Sequence, residues 1–174
     1  MKALDPELRI QFTKRADGSV ILRCTRKDSS VTWQRHDKHA VFFGLHDLSH
    51  FAVETVLGLG QGFYGLLADG WDITDTTGKG MKGKLSGASI LAEHIVGLID
   101  RERSGGAEPL TAAAFNEELE KMTGLAVKPA FTDVQLTAAR NRIAALHRQW
   151  AATPPGGTLD LTFDRADPAF QRKD

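Results

Sequence analysis

The sequence contains little cysteine, no long apolar run and no excess of charge of either sign. Cys24 is the single cysteine among 174 residues, which excludes an intrachain disulfide and a zinc cluster built on cysteines and fits a reducing cytoplasm. No run approaches the roughly 18 apolar residues of a membrane-spanning helix, and the N-terminal residues lack the apolar core of a signal peptide. We therefore expect a cytoplasmic protein that does not cross a membrane.

The charge balance limits the kind of partner. Lysine and arginine number 22, as do aspartate and glutamate, so the formal net charge is zero. Proteins that bind nucleic acids or membrane surfaces carry a basic excess, so the expected partner is a small-molecule substrate or ligand. Hydrophobic residues make up 41% of the chain and charged residues 25%, which is typical of a folded globular protein. The composition leaves a homo-oligomer open.

Two periodicities divide the chain into a β part and a helical part. Apolar residues alternate with polar ones in three runs before residue 40, and Asp17-Gly18 between the first two runs is a strong hairpin signal. The pattern then predicts helices over about 41–57, 63–68, 86–103, 111–122 and 132–151, and a returning strand over 158–163. The predicted fold is α+β in a single domain, 1–174, with a β meander over 1–40, a layer of four to five helices over 41–152 and a polar tail over 164–174.

Titratable side chains cluster in the first predicted helix. His46, Asp47, His50 and Glu54 fall within nine residues, and on a helix they project within one arc of about 100°. Apolar residues lie on most sides of this helix, so we expect it to be buried, and buried titratable groups need partners or a metal ion. Histidines four residues apart can bind one ion. The sequence therefore predicts a divalent metal at His46 and His50, with Zn²⁺ the default for an imidazole-rich site.

The two carboxylates of the cluster have several roles open to them. Asp47 adjoins the histidines and is predicted to bind the ion, orient a histidine or act as a base. Glu54 lies eight residues from His46, about 12 Å along a helix, so it is predicted to support a ligand, to act as a catalytic carboxylate on a metal-bound water, or to belong to a second site. A further ligand must come from another part of the chain. The candidates are Asp72, His94 and His147.

The run from His46 to His50, HDLSH, resembles motifs of known families. HDxxH is similar to the zinc motif of the ubiquinone-biosynthesis scaffold family, a helical family, and the resemblance implies zinc ligands at His46, Asp47 and His50. The glutamate of that motif comes at the position of Gly62 in this chain. The spacing is also similar to the HExxH helix of zinc proteases, with aspartate in place of glutamate.

The pair His46-Asp47 also resembles the core of HD-type phosphohydrolases, where an adjacent histidine and aspartate bind metal. That resemblance implies an upstream histidine, His36 or His39, and a downstream aspartate, Asp100. The longer run over residues 46–73 resembles an uncharacterised bacterial protein family with an HDxxHxxxE helix motif. This likeness covers about residues 40–75 and implies no function.

Residues 78–85 nearly match the phosphate-binding loop GxxxxGK[ST]. Leu85 stands where that loop needs Ser or Thr for Mg²⁺, so we do not expect nucleotide binding of this kind. A basic, glycine-rich loop ahead of a helix can still hold an anion, and such a loop can close over a site as a lid. The alternative is a solvated loop. The candidate anion or substrate contacts are Lys79, Lys82 and Lys84.

Two functions follow from these observations. The first is a metal-dependent hydrolase with Glu54 and Asp47 as catalytic residues, for which phosphoester hydrolysis is the sharpest substrate hypothesis. The second is a non-catalytic binding or scaffold protein, in which the four clustered side chains form a structural polar network or bind a small ligand. A cleft beside the site favours the first function, and a sealed network favours the second.

Overall fold

Three N-terminal strands and one C-terminal strand form an antiparallel sheet. The structure, a computed structural model, describes residues 6–77, 84–106, 108–124 and 126–165. The strand order is β3-β2-β1-β4, so the C-terminal strand returns to pair with the first. The strands are β1 (Leu8–Lys14), β2 (Val20–Arg26), β3 (Val31–His36) and β4 (Thr158–Phe163).

The alternating sequence of each strand decides which face of the sheet is buried. Ile10 is fully buried and pairs with Cys24 on one side and with Leu161 on the other. Its neighbours Arg9 and Gln11 point to the opposite face, because successive side chains of a strand alternate. The buried face joins the sheet to the helical layer in one hydrophobic core.

Five α-helices pack in that layer within the described part of the chain. α1 contacts β2 and β3, and both α3 and α5 pack against α1. A short 3-10 helix over Ile73–Thr77 follows α2. The α-helices are α1 (Ala40–Leu57), α2 (Phe63–Ala68), α3 (Gly87–Gly105), α4 (Ala112–Thr123) and α5 (Asp133–Ala152).

α1 lies at the centre of the layer. The seven consecutive residues from Leu48 to Glu54 are all buried, which confirms that this helix is covered on most sides. Gly58 ends it in the left-handed conformation, with φ at 68°, and donates its backbone N–H to the carbonyl of Glu54. The polar side chains of α1 therefore lie inside the protein, where each needs a partner.

The α+β class predicted from the sequence is confirmed. The four strands and five helices appear close to their predicted bounds. The difference is the 3-10 helix over Ile73–Thr77, where the sequence patterns predict no helix. It forms because the Thr32 hydroxyl accepts the Ile73 N–H at 3.0 Å and the Thr76 hydroxyl donates to the Ile73 carbonyl at 2.7 Å.

Two sequence predictions lie outside the described residues. Lys79 and Lys82 belong to the segment 78–83, and most of the expected polar tail belongs to 166–174. Of the helices that the structure describes, none combines the length and the apolar character needed to span a lipid bilayer.

Candidate metal centre

Three side chains converge between α1 and α3. His46 and His50 of α1 and Glu93 of α3 each offer a ligand atom, and these atoms lie within 4.8 Å of one another. The two imidazole centroids are 4.8 Å apart, because residues four apart share a helix face. Donors about 2 Å from one tetrahedral ion lie about 3.3 Å apart, so the longest separation in the group must shrink by up to about 1.5 Å to bind an ion.

Glu93 is the ligand with the most freedom to make that adjustment. Its Oε2 atom lies 3.3 Å from Nε2 of His50, and 48% of its side chain is exposed. Burial alone raises the pKa of Glu93, but the hydrogen bond from His50 and nearby imidazoles lower it below the ordinary value. The side chain is thus an ionised carboxylate at the solvent side of the group.

A carboxylate fixes each histidine through Nδ1. His46 Nδ1–H donates to Asp100 Oδ2 at 3.1 Å, and His50 Nδ1–H donates to Glu54 Oε1 at 3.1 Å. These bonds orient the rings and leave Nε2 of each as its free ligand atom; Nε2 of His50 faces Glu93. Histidines that bind metal characteristically donate their other N–H to a carboxylate in this way.

Glu54 is a buried support for His50. Its side chain is fully buried, and its oxygens accept the backbone N–H groups of Phe63 at 2.7 Å and Tyr64 at 2.9 Å. These are first-turn amides of α2, which have no partner within their own helix. At Gly62, a Cβ atom would lie 2.3 Å from Cδ of Glu54, so glycine is required for this approach.

That environment differs from the one expected of a base acting on a metal-bound water. The oxygens of Glu54 face His50 and two backbone amides, and Glu54 is not among the residues that line the neighbouring cleft. The arrangement matches the supporting role that the eight-residue spacing from His46 also allowed.

Asp100 supports His46 in a similar way. Its Oδ1 atom accepts the hydroxyl of Ser49 at 2.9 Å, while Oδ2 accepts His46. Burial alone raises the pKa of Asp100, but the hydrogen bonds from His46 and Ser49 lower it below its usual range. An ionised Asp100 therefore holds the His46 ring in place from α3.

His50 lies between two carboxylates. Burial lowers the pKa of His50, but the hydrogen bonds with Glu54 and Glu93 outweigh that effect and raise it to about 10. Burial raises the pKa of Glu54, so the two groups compete for one proton. We place the proton on the imidazole, because both of its nitrogens face carboxylate oxygens.

Asp47 does not join the three converging side chains. Its Oδ2 atom lies 3.2 Å from Nε2 of His36, and its backbone carbonyl accepts the Tyr64 hydroxyl at 3.0 Å. His36 in turn stacks on Phe43, with ring centroids 4.9 Å apart. Asp47 and His36 form a separate pair beside the group.

A cleft of about 420 Å³ contains both sets of groups. The three converging side chains line it together with Asp47 and His36, and Phe43 and Phe63 are among its apolar walls. It reaches solvent, since 27% of the His46 side chain and 48% of the Glu93 side chain are exposed. The site is therefore an open cleft and not a sealed network.

The other candidate ligands lie elsewhere. The side chain of Asp72 is 63% exposed and lies 3.8 Å from Arg26. His94 lines a different cavity, and His147 Nε2 lies 3.1 Å from the Leu45 carbonyl. Lys84 is exposed. None of these four described residues belongs to the converging group.

Glu93 is the residue that reasoning from the sequence missed. Glu93 and Asp100 are seven residues apart, so they share one face of α3, and they meet His50 and His46 respectively. The sequence prediction names His94, the neighbour of Glu93, as a candidate ligand from this helix. The signal that could have found Glu93 is that two acidic residues on one face of α3, Glu93 and Asp100, can meet two histidines on one face of α1.

Comparisons with protein-family models, with curated proteins and with solved structures give no significant match to this chain. The geometry of the cleft is therefore the basis for a functional proposal.

Proposed function

We propose that this chain binds one divalent metal ion, Zn²⁺ by its donor set, through His46, His50 and Glu93, and that it is a metal-dependent hydrolase. The observation that carries the proposal is the convergence of two carboxylate-held imidazoles and a third carboxylate at an open cleft. We also propose that it acts in the cytoplasm, which the single cysteine supports because it suits a reducing compartment.

The number and type of donors favour a catalytic site over a structural one. Structural zinc sites close the coordination shell with four protein ligands, whereas catalytic sites use three, such as two histidines and a glutamate, and leave one position to water or substrate. The group here supplies two histidines and a glutamate on the wall of a cleft that reaches solvent.

The residues around the group divide into holding and reacting roles. A bound ion would lower the pKa of a coordinated water and polarise a substrate oxygen. Glu54 and Asp100 hold the two imidazoles in orientation. We assign the role of proton acceptor for a reacting water to Asp47, because it lines the same cleft and lies outside the converging group.

Phosphoester hydrolysis is the first reaction to test. His46-Asp47 resembles the metal-binding pair of HD-type phosphohydrolases, and Lys84 stands just before α3, where it can meet an anionic substrate. The structure differs from that resemblance at Asp100, which bonds to His46 and lies outside the converging group. The substrate class thus rests on sequence likeness and charge.

The test is turnover of the reconstituted protein. The chain is loaded with Zn²⁺, Mn²⁺ or Fe²⁺ and assayed on p-nitrophenyl phosphate, bis-p-nitrophenyl phosphate and p-nitrophenyl acetate. Asp47→Asn is assayed in the same way, and His94→Gln, at a histidine outside the converging group, is the control. We expect metal-dependent hydrolysis that Asp47→Asn lowers by about 10²- to 10⁴-fold, the usual contribution of a general base, and that His94→Gln leaves unchanged. Equal rates with and without metal contradict the hydrolase proposal, and an unchanged rate in Asp47→Asn contradicts the role assigned to Asp47.

A non-catalytic role is the second candidate, and one observation favours it. His50 faces carboxylates through both nitrogens, and its pKa of about 10 describes an imidazolium that is stable without an ion. The HDxxH resemblance to a scaffold family points the same way. A folded protein that takes up none of the three metals would support this polar network and direct the search to a small ligand or partner.

A further inference from the structure

A second cavity, of about 710 Å³, lies on a different face of α3 from Glu93. The α1–α2 turn, the first two turns of α3 and the segment after α4 border it. Its volume is within the range of small-molecule sites, which is about 300–1,000 Å³. No residue of the candidate metal centre lines it, so its ligand is independent of the proposed hydrolase function.

The cavity exposes apolar surface to water. Ile90 is 44% exposed and Met122 is 40% exposed, and Leu59, Leu91 and Val127 are partly buried along the same wall. Apolar surface left in water costs about 25 cal/mol per Å². The wall therefore favours a ligand with an apolar body that covers these side chains.

Small residues create the space. Gly58, Gly60, Gly87, Ala88 and Ala126 all line the cavity, and a Cβ atom built at Gly87 would meet no other atom within 4 Å. The described side chains thus leave this volume unfilled. Ala88 is exposed on the cavity wall, so a larger side chain at this position would occupy the space that a ligand needs.

The described residues that line the cavity carry positive and no negative side-chain charge. The described residues that line it include Lys128 and no carboxylate. Lys128 is exposed, which places its ammonium group at the solvent edge. Gly87 and Ala88 open α3, and the positive end of a helix dipole favours a negative charge nearby. The C-terminal ends of α1 and α4 border the same cavity with the opposite end of their dipoles, so Lys128 is the described lining group that favours an acidic ligand group at this edge.

We propose that this cavity binds a small amphipathic carboxylate. The apolar body lies against Ile90, Leu91 and Met122, and the acidic group lies at the edge beside Lys128. The apolar wall and the absence of acidic lining residues in the described part of the cavity carry this assignment together.

Calorimetric titration of the full chain with octanoate tests the proposal, with the neutral 1-octanol as its matched probe and EDTA present throughout. We expect one saturable octanoate site, with octanol binding about two- to fivefold more weakly, the range that an exposed ion pair gives. Lys128→Glu should weaken the binding of octanoate by at least the same factor and leave the affinity for octanol unchanged. Lys38→Glu, an exposed lysine outside the cavity, is the control and should change neither.

Filling the cavity supplies the second arm of the test. Ala88→Phe should abolish binding of both probes, and Ala113→Phe, at the equivalent second position of α4, should not. If Ala88→Phe unfolds, Ile90→Gln replaces it in the test, because Ile90 is at an exposed helix position. Ile90→Gln should weaken the binding of both probes. Absence of saturable binding, or equal binding in Ala88→Phe and Ala113→Phe, would overturn the site. Equal affinity for octanoate and octanol would overturn the proposal that the ligand is a carboxylate.

Discussion

Two glutamates beside His50 perform different tasks. Glu54 is fully buried and accepts two backbone N–H groups as well as the imidazole, whereas Glu93 is half exposed and lies 3.3 Å from the other nitrogen of His50. One occupies a structural position inside the protein, and the other stands at the open side of the cleft. The same substitution at both positions separates these tasks.

Glu54→Gln is expected to lower the free energy of unfolding by about 1–3 kcal/mol, because its amide NH₂ must face a backbone N–H of Phe63 or Tyr64 and leave a buried donor unsatisfied. Glu93→Gln is expected to change it by no more than about 0.5 kcal/mol, as surface substitutions do. Urea unfolding of both variants measures the difference. Equal stabilities would show that Glu54 does not hold α2.

Cys24 is expected to be unreactive in the folded protein. Its side chain is fully buried in the sheet, and burial raises the pKa of the thiol to about 12, so almost no thiolate exists near neutral pH. Ellman's reagent at pH 8 should leave the native chain unlabelled and label one thiol per chain in urea. Rapid stoichiometric labelling of the native protein would contradict the buried placement of β2.

At the scale of elements, an ion pair joins α3 to α5. Arg140 donates to Glu102 at 2.9 and 2.8 Å and to the Leu110 carbonyl at 3.0 Å, and Glu102 accepts the Leu110 N–H at 3.0 Å. Both side chains are largely buried, with 18% and 10% exposed. The cluster thus fixes two helices and the segment that leads into α4.

Arg140→Met should lower the free energy of unfolding by about 3 kcal/mol, because it leaves the Glu102 carboxylate buried without its counter-ion. The double variant Arg140→Met/Glu102→Leu should be more stable than the single one, since it removes the isolated charge. Thermal and urea unfolding of both variants test this. A double variant that is less stable than Arg140→Met would mean that hydrogen bonds, and not charge burial, dominate the cluster.

How far the sequence predicts this protein depends on whether a feature is local to one element. Alternation predicted the strands, and helical periodicity predicted α1 with His46 and His50 on one face, because both patterns repeat within a single element. Glu93 lies on another helix, and its approach to His50 depends on how α1 and α3 pack. The patterns within one element do not predict how two helices are placed against each other.

The same distinction explains the carboxylates of α1. Spacing placed Asp47, His50 and Glu54 in one arc; in the structure His50 and Glu54 bond to each other, whereas Asp47 has a different partner. Glu54 meets the first turn of α2, and Asp47 meets His36 at the end of β3. The shared arc therefore predicted that these side chains lie near one another, but it did not predict which neighbouring element each of them contacts.

At the scale of the whole molecule, a bound ion would connect α1 to α3. Binding that occurs only in the folded state raises stability by mass action, by about 2.7 kcal/mol at a free ion concentration one hundred times Kd. For a chain of this size we expect Tm to rise by roughly 5–10 °C. Thermal scans with Zn²⁺ and with EDTA measure the shift. His46→Gln should show no such shift, and equal shifts in both proteins would place the binding elsewhere.

The central claim is that His46, His50 and Glu93 hold one metal ion. The most direct test is the stoichiometry and affinity of Zn²⁺, measured by competition with a chromophoric chelator, in the wild-type chain, His46→Gln, Glu93→Gln and His94→Gln. We predict one ion per chain for the wild type and for His94→Gln. His46→Gln and Glu93→Gln should bind at least about tenfold more weakly while folded, since even the residues that support a ligand contribute that much. No zinc uptake by the wild type, or uptake unchanged in His46→Gln and Glu93→Gln, would contradict the account.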